Sequence, residues 1–378
     1  MQKWTKVAGA WCLSGSQNNN EAQRILGRTD SMNRASKYIA CAAFASLAFS
    51  ATTLPSFADG NVCVSWRHFQ EERWRIDEAG IKQALEGSGY NYVSADAQGD
   101  PQKQPSDVEG LIAGGCAALI VLAQDSLAIV PAIEAAKASG IPVIAYDVPV
   151  DVADIIFISF DNVRVGRVMA EGMVKVKDDG NWALIEGDSS MAIINLFRAG
   201  QMEVLQPLID SGKIKVVAQQ NIENWKPDVA QSTMEQILTA NNNQIDAVLA
   251  MNDGMAGGVA AALAAQGILG IPLSGQDGDV AALNRIARGQ QTVTVWKNAH
   301  DLGMAAGKAA VELAGGKSLL EVSGNNTFKT PSGIDQPAIL LTPIGIMKDN
   351  LNLVIDSGWT TKEKVCDGVT ENAPPACQ

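Results

Sequence analysis

The sequence predicts an α/β chain made of two similar doubly wound parallel-sheet lobes in tandem. Three observations predict it: strands and helices alternate almost throughout, the rhythm restarts midway, and the chain beyond a predicted leader is too long for one ordinary core. In order, Val62–Trp66 reads as a strand, Trp74–Ser88 as a helix ending at Gly89, and Tyr90–Ala95 as a strand. Asp107–Ala113 is helical, Ala117–Leu122 a strand, and Ile129–Ser139 a helix stopped by Gly140. Strands at Pro142–Asp147 and Ile155–Ser159 complete the first half. Helix Val165–Val176 then opens the second, followed by strand Trp182–Glu186, helix Leu196–Asp210, strand Ile214–Gln219 and helix Ala230–Ala240. Strand Ala247–Met251, helix Met255–Gln266, a strand starting at Leu273–Gly275, helix Asp301–Ala314 and one extended segment Pro337–Ile346 finish the pattern. Short apolar strands alternating with longer helices call for parallel sheets covered on both faces.

Residues 32–58 read as a secretory signal peptide. Met32 opens a basic stretch with Arg34 and Lys37, Ile39–Ala51 is apolar, and Ser56-Phe57-Ala58 offers small residues for cleavage after Ala58. Residues 1–31 fit neither a leader nor a fold; they read as an N-terminal extension from a start codon placed too early, or else as a propeptide. Cys41 precedes most of the apolar run and is badly placed for lipidation. Export to a bacterial periplasm is the expectation.

The whole chain carries 29 Lys+Arg against 41 Asp+Glu, and its exported part 23 against 39. That acidity argues against nucleic acid or an anionic membrane surface as a partner. His68 and His300, in separate segments, are the only histidines, which leaves little for a Ser-His-Asp triad or a His-rich zinc site. No metal or cofactor is expected. Four cysteines remain after the leader. Cys366 and Cys377 flank a short polar loop with Pro374-Pro375 and form the better pair. Cys63 and Cys116 each begin a strand-like run, and either a bond between them or two buried thiols is open.

In doubly wound sheets ligands bind beyond the carboxyl ends of the strands. There the sequence places Asp147, Asn252-Asp253, Gln276-Asp277 and Trp296-Lys297, with Asp161-Asn162 at an interlobe boundary. Arg73 and Trp74 follow the first strand, and Trp225 follows a strand of the second lobe. Carboxylates, amides, a few cations and flat aromatic faces suit an uncharged polyhydroxylated ligand, whose hydroxyls need donors and acceptors and whose C–H faces stack on tryptophan.

Several motifs add a family resemblance. ERW (Glu72–Trp74), AYD (Ala145–Asp147), ISFDN (Ile158–Asn162), LFRAGQM (Leu196–Met202), DSGKIKVV (Asp210–Val217), LTANNNQIDAV (Leu238–Val248), SGQDGD (Ser274–Asp279) and LLTPI (Leu340–Ile344) occur in collinear order. Together they resemble the periplasmic D-xylose-binding proteins, sugar-binding subunits of bacterial ABC transporters in the type I periplasmic binding protein family. The resemblance implies a monomer of two lobes joined by three crossover segments and closing over one monosaccharide. It also implies delivery to a membrane permease served by a separate ATPase subunit, without catalysis. The lobes are expected at 59–162 plus 298–340 and at 163–297 plus 341–358, with a C-terminal tail at 359–378. By position, the resemblance implies ligand contacts at Arg73, Trp74, Asp147, Arg198, Trp225, Asn252, Asp277 and Lys297. Asp161 and Asn162 serve either the hinge or the ligand.

Two departures bear on specificity. The family continues AYD with Arg where this chain has Val148, and has polar, Asn-rich residues where this chain has Met191, Ala192, Ile193 and Ile194. Near the first strand the family tends to be acidic, yet Arg67 and His68 stand there, as ligand contacts or as solvated loop residues. Three function classes follow: a transport binding protein for xylose or a related sugar or polyol, a periplasmic sugar-sensing module for a chemoreceptor or histidine kinase, and an exported enzyme using Asp147 and Asp277 as paired carboxylates. A DNA-binding repressor of the same two-lobe core is set aside, because the leader stands where its DNA-binding helices would be.

Overall fold

The computed structural model describes residues 60–378; the predicted leader and residues 1–31 lie outside that range. The first half runs β1 (Gly60–Trp66), α1 (Arg73–Leu85), β2 (Tyr90–Asp96), α2 (Lys103–Ala113), β3 (Cys116–Val121), α3 (Val130–Ala138), β4 (Val143–Tyr146) and β5 (Ile156–Phe160). The second runs α4 (Asn162–Val174), β6 (Gly180–Glu186), α5 (Ile193–Asp210), β7 (Ile214–Asn221), α6 (Pro227–Ala240), β8 (Ala247–Ala250), α7 (Asp253–Ala265), β9 (Ser274–Asp277), α8 (Val280–Ala287) and β10 (Val293–Trp296). The chain ends with α9 (Ala299–Ala314), α10 (Leu319–Val322), β11 (Thr327–Lys329), β12 (Asp335–Leu341), β13 (Ile344–Ile346), α11 (Asn352–Asp356) and α12 (Lys362–Cys366).

One sheet has the order β11-β12-β5-β4-β3-β1-β2, parallel except for β11. The other lobe holds β7-β6-β8 and β13-β10-β9, linked by a parallel bridge between Val248 and Leu273. Central strands β3, β4, β5 and β8 are apolar and buried along nearly their whole length, as parallel strands covered on both faces must be. The chain passes between sheets after Phe160, after Trp296 and between Leu341 and Ile344. The backbone N–H of Asp161 donates to the Leu341 carbonyl at 2.9 Å and ties the first and third passages together.

The extended segment Pro337–Ile346 is thus two strands in different sheets. Thr342-Pro343 separates them, and a proline without an N–H cannot continue a ladder. Residues 359–378 pack as part of the second lobe. Asn284 donates to the carbonyls of Val365 (3.0 Å) and Asp367 (2.7 Å), and the Trp359 indole N–H donates to Gly278 at 2.7 Å. A small separate core forms here from Leu283, Ile286, Trp296, Ile346, Leu351, Val354 and Val365. Cys366 is bonded to Cys377, and Cys63 to Cys116, the latter joining neighbouring strands β1 and β3.

Two helix pairs fix the elements that carry the cleft. A Cβ on Gly200 would overlap the Val163 carbonyl, and one on Gly166 the Phe197 carbonyl, so α4 and α5 cross in backbone contact. Gly303 lies equally close to the Asp77 carbonyl and sets α9 against α1. Among the described residues no helix is long and apolar enough to cross a membrane.

Candidate functional site

The two lobes face each other across a narrow, nearly filled cleft. Arg67, Glu71, Arg73, Trp74 and Asp147 line it from the first lobe. Met191, Ile193, Phe197, Trp225, Asn252, Gln276, Asp277 and Lys297 line it from the second lobe and the passage after β10. Nearly all lie just past the carboxyl ends of β1, β4, β6, β7, β8, β9 and β10, where doubly wound sheets open.

The centre of the cleft is an ion cluster that spans the lobes. Arg73, at the start of α1, donates through Nη2 to Asp147 at 3.2 Å and through Nη1 to Asp277 at 3.0 Å. Its Nε reaches Asp77 at 3.3 Å. Lys297 stands 3.1 Å from Asp277 and 3.8 Å from Asp147. All these groups are buried. Burial alone would raise Asp147; Arg73 and Lys297 outweigh it and hold the carboxyl below its ordinary value. Burial likewise opposes the Arg73 charge, but Asp147, Asp77 and Asp277 together keep the guanidinium firmly protonated. Behind it, Tyr146 donates to Asp77.

Asp147 has φ 58° and Asp277 φ 103°, backbone conformations that few side-chain-bearing residues adopt. Such strain collects at ligand sites, where it aims a side chain the regular strand would turn away. Asn224 (φ 52°) and Trp225 (φ 57°) repeat this at the second aromatic cover. Trp74 lies under the Arg73 guanidinium at 4.3 Å, with its indole N–H on Glu71 at 2.7 Å. Asn252 caps α7 by accepting from Met255 N–H at 2.9 Å, which leaves its amide donors for the cleft.

Arg73, Trp74, Asp147, Trp225, Asn252, Asp277 and Lys297 therefore come together, and Arg67 joins them. Arg198 does not. It follows Phe197 on α5, about 100° further round the helix, so Ile193 and Phe197 share the cleft-facing side while Arg198 points elsewhere. There both guanidinium arms bind the buried Glu186 carboxylate, with Nε at 2.8 Å. Asp161 and Asn162 also stay out of the cleft. Asp161 caps α4 by accepting from Arg164 N–H at 3.0 Å. Asn162 donates to Ser159 Oγ at 2.9 Å, and Ser159 in turn donates to the Asp147 carbonyl at 3.0 Å, so the passage steadies Asp147 from behind.

Glu71 and Phe197 are cleft residues that sequence reasoning did not single out. Gln276, read beside Asp277 at a strand end, lines the cleft from the end of β9. Glu71 lies in a turn with no periodicity to aim it. His68, pushed down to about 3 by burial and by the charges of Arg67 and Lys226, is neutral and packs behind this turn.

Beyond the cleft the lobes touch at their lips. Ser126 N–H donates to the Ser190 carbonyl at 3.1 Å, and Ala192 N–H to Ser126 Oγ at 3.0 Å. Gln124 donates to Asn224 Oδ1 at 2.5 Å. This clasp lies on the far side of the cleft from the three passages.

Comparison with known proteins agrees with this architecture. Residues 62–318 match the family model described as a periplasmic binding protein domain. The chain is 42% identical to the D-xylose-binding periplasmic protein of Escherichia coli, over 76% of this chain and 87% of that protein. It is 41% identical to the protein of the same name from Haemophilus influenzae, over 78% and 88%. A carbohydrate transporter solute-binding protein from Chloroflexus aurantiacus, solved with D-glucose, superposes with a TM-score of 0.71 at 27% identity, covering 80% of this chain and 98% of that one. Two doubly wound lobes, three passages between them, a charged and aromatic cleft and these matches agree: the chain belongs to the periplasmic binding protein family.

Proposed function

We propose that the chain is the periplasmic sugar-binding subunit of an ABC importer, which captures D-xylose or a related monosaccharide between its lobes and delivers it to a membrane permease with a separate ATPase. The observation that carries this reading is the interlobe cluster of Arg73, Asp147, Asp277 and Lys297 between the Trp74 and Trp225 covers. It offers charged donors and acceptors to hydroxyls and apolar faces to C–H bonds. Similarity to two D-xylose-binding periplasmic proteins supports the ligand class. Binding without turnover is part of the proposal. Asp147 is held ionised by two cations, whereas a general acid needs a raised pKa. Secretion with cleavage after Ala58 also belongs to it, on the leader pattern alone.

A thermal-shift screen of residues 59–378 against pentoses, hexoses, polyols and sugar acids tests the reading. A sugar at 100 times its Kd adds about 2.7 kcal/mol to stability, a shift of several degrees. A response to D-xylose or another monosaccharide is expected; none across the panel would sink the proposal.

A further inference from the structure

Arg67 has a buried guanidinium with an unspent donor. Its Nε donates to Gln124 Oε1 at 3.1 Å, while its Nη2 has no hydrogen-bond partner among the described residues. Its strongest charged neighbour is Glu71, which lines the same wall and acts with Asp188 and Asp147 through space rather than by an ion pair. The other two cations of the cleft, Arg73 and Lys297, are both matched by carboxylates in contact. A buried polar donor left without an acceptor is costly, so a built site with one signals a partner that arrives from outside.

The end of the cleft that Arg67 faces is set by its own support. Gln124, which holds Arg67, also binds Asn224 beside Trp225, and its carbonyl meets Ser190 next to Met191. Across from Arg67 and Glu71 the second lobe therefore presents Met191, Ile193 and Phe197, none with a group to read a hydroxyl. Val148, where a further cation was expected, is wholly buried and cannot contribute one. Polar recognition at the lip end falls to the first-lobe wall alone.

We infer that Arg67 and Glu71 form the specificity-determining pair of this cleft. The guanidinium donates to, and the carboxylate accepts from, a hydroxyl at the lip-facing end of the ligand. The chain thus selects neutral monosaccharides or polyols whose lip end is two-sided, with a hydroxyl toward the first lobe and C–H groups toward Met191, Ile193 and Phe197. This rests on the sugar-binding reading above.

Titration calorimetry on the mature chain tests it, with the best-binding sugar of the screen and its monodeoxy analogues. Arg67→Gln and Glu71→Gln should each weaken that sugar about tenfold or more. One deoxy analogue should lose as much against the parent chain, yet bind parent and Arg67→Gln equally, because the two deletions remove the same hydrogen bond. Both variants neutralise a buried charge at similar size, and unliganded melting temperatures at or above the parent's are the expected control for folding. Unchanged affinity in both variants, or a loss that is the same for every analogue, overturns the pairing. So does tighter binding of an aldonate than of its parent sugar, since Glu71 would repel it. A parent chain that binds no sugar overturns the underlying reading and the pairing with it; a parent that binds while both variants match it overturns the pairing alone.

Discussion

Asp277 and Arg198 look alike as candidates in sequence, each a charged residue in a family motif, but the structure gives them different work. Asp277 bonds to Arg73 and Lys297 in the cleft, whereas Arg198 neutralises Glu186 one helix position away from it. Asp277→Ala should weaken sugar binding about tenfold or more, while Arg198→Ala should leave the Kd within about twofold; equal losses would contradict the placement. No single-sequence pattern separates the two, because the decisive fact is which side of α5 faces the cleft. Strand-end residues such as Asp147 and Asn252 were legible, since their strands were. Asp77 carries a different signal. Burial pushes its carboxyl up to about 6, in spite of Arg73 and the Tyr146 hydroxyl. The folded chain then keeps a proton between about pH 4 and 6 that the unfolded chain releases, so its contribution to stability falls as pH rises through that window. Across pH 4 to 7 the urea midpoint of the parent should fall relative to that of Asp77→Asn; a constant difference would mean an ordinary carboxyl.

Helices and strands were readable where apolar runs are long and glycine marks their ends, as with α3 before Gly140, whereas α6 was read from Ala230, past its proline-marked start at Pro227. Short elements escaped. Pro337–Ile346 was read as one extended segment although the family resemblance placed a lobe boundary at 340/341 within it, and that crossing divides it into β12 and β13. The α4–α5 contact was also invisible in sequence, since Gly166 and Gly200 look like ordinary mid-helix glycines. With a Cβ on either overlapping a carbonyl of the facing helix, Gly200→Ala should cost about 1–3 kcal/mol and lower the urea midpoint. A neutral result would mean the helices can separate without consequence. The tail is held in the same manner by a local staple. Replacing Cys366 and Cys377 with serine should remove roughly 2–3 kcal/mol, because the bond closes a short loop of sequence separation 11 over α8.

The molecule as a whole is two sheets connected at one edge of a cleft and fastened at the other. Its two-lobe design was legible from the rhythm of the chain, but the fastening was not, since Ser126 and Ser190 are unremarkable loop residues of different lobes that meet only in three dimensions. Ser126→Ala deletes the acceptor for Ala192 N–H while touching no cleft residue. Every sugar should then dissociate faster by a common factor of about two- to tenfold, set by one lost hydrogen bond. A change in the ranking of sugars would show that the clasp also reads the ligand. The cleft decides what is held, and the clasp how long it is held. A carrier must keep its cargo through diffusion yet surrender it on arrival, and a fastener made of a few part-buried hydrogen bonds is lost as soon as the lobes part. Dwell time in this chain is therefore adjustable at the rim, at Ser126, without disturbing the side chains that recognise the cargo.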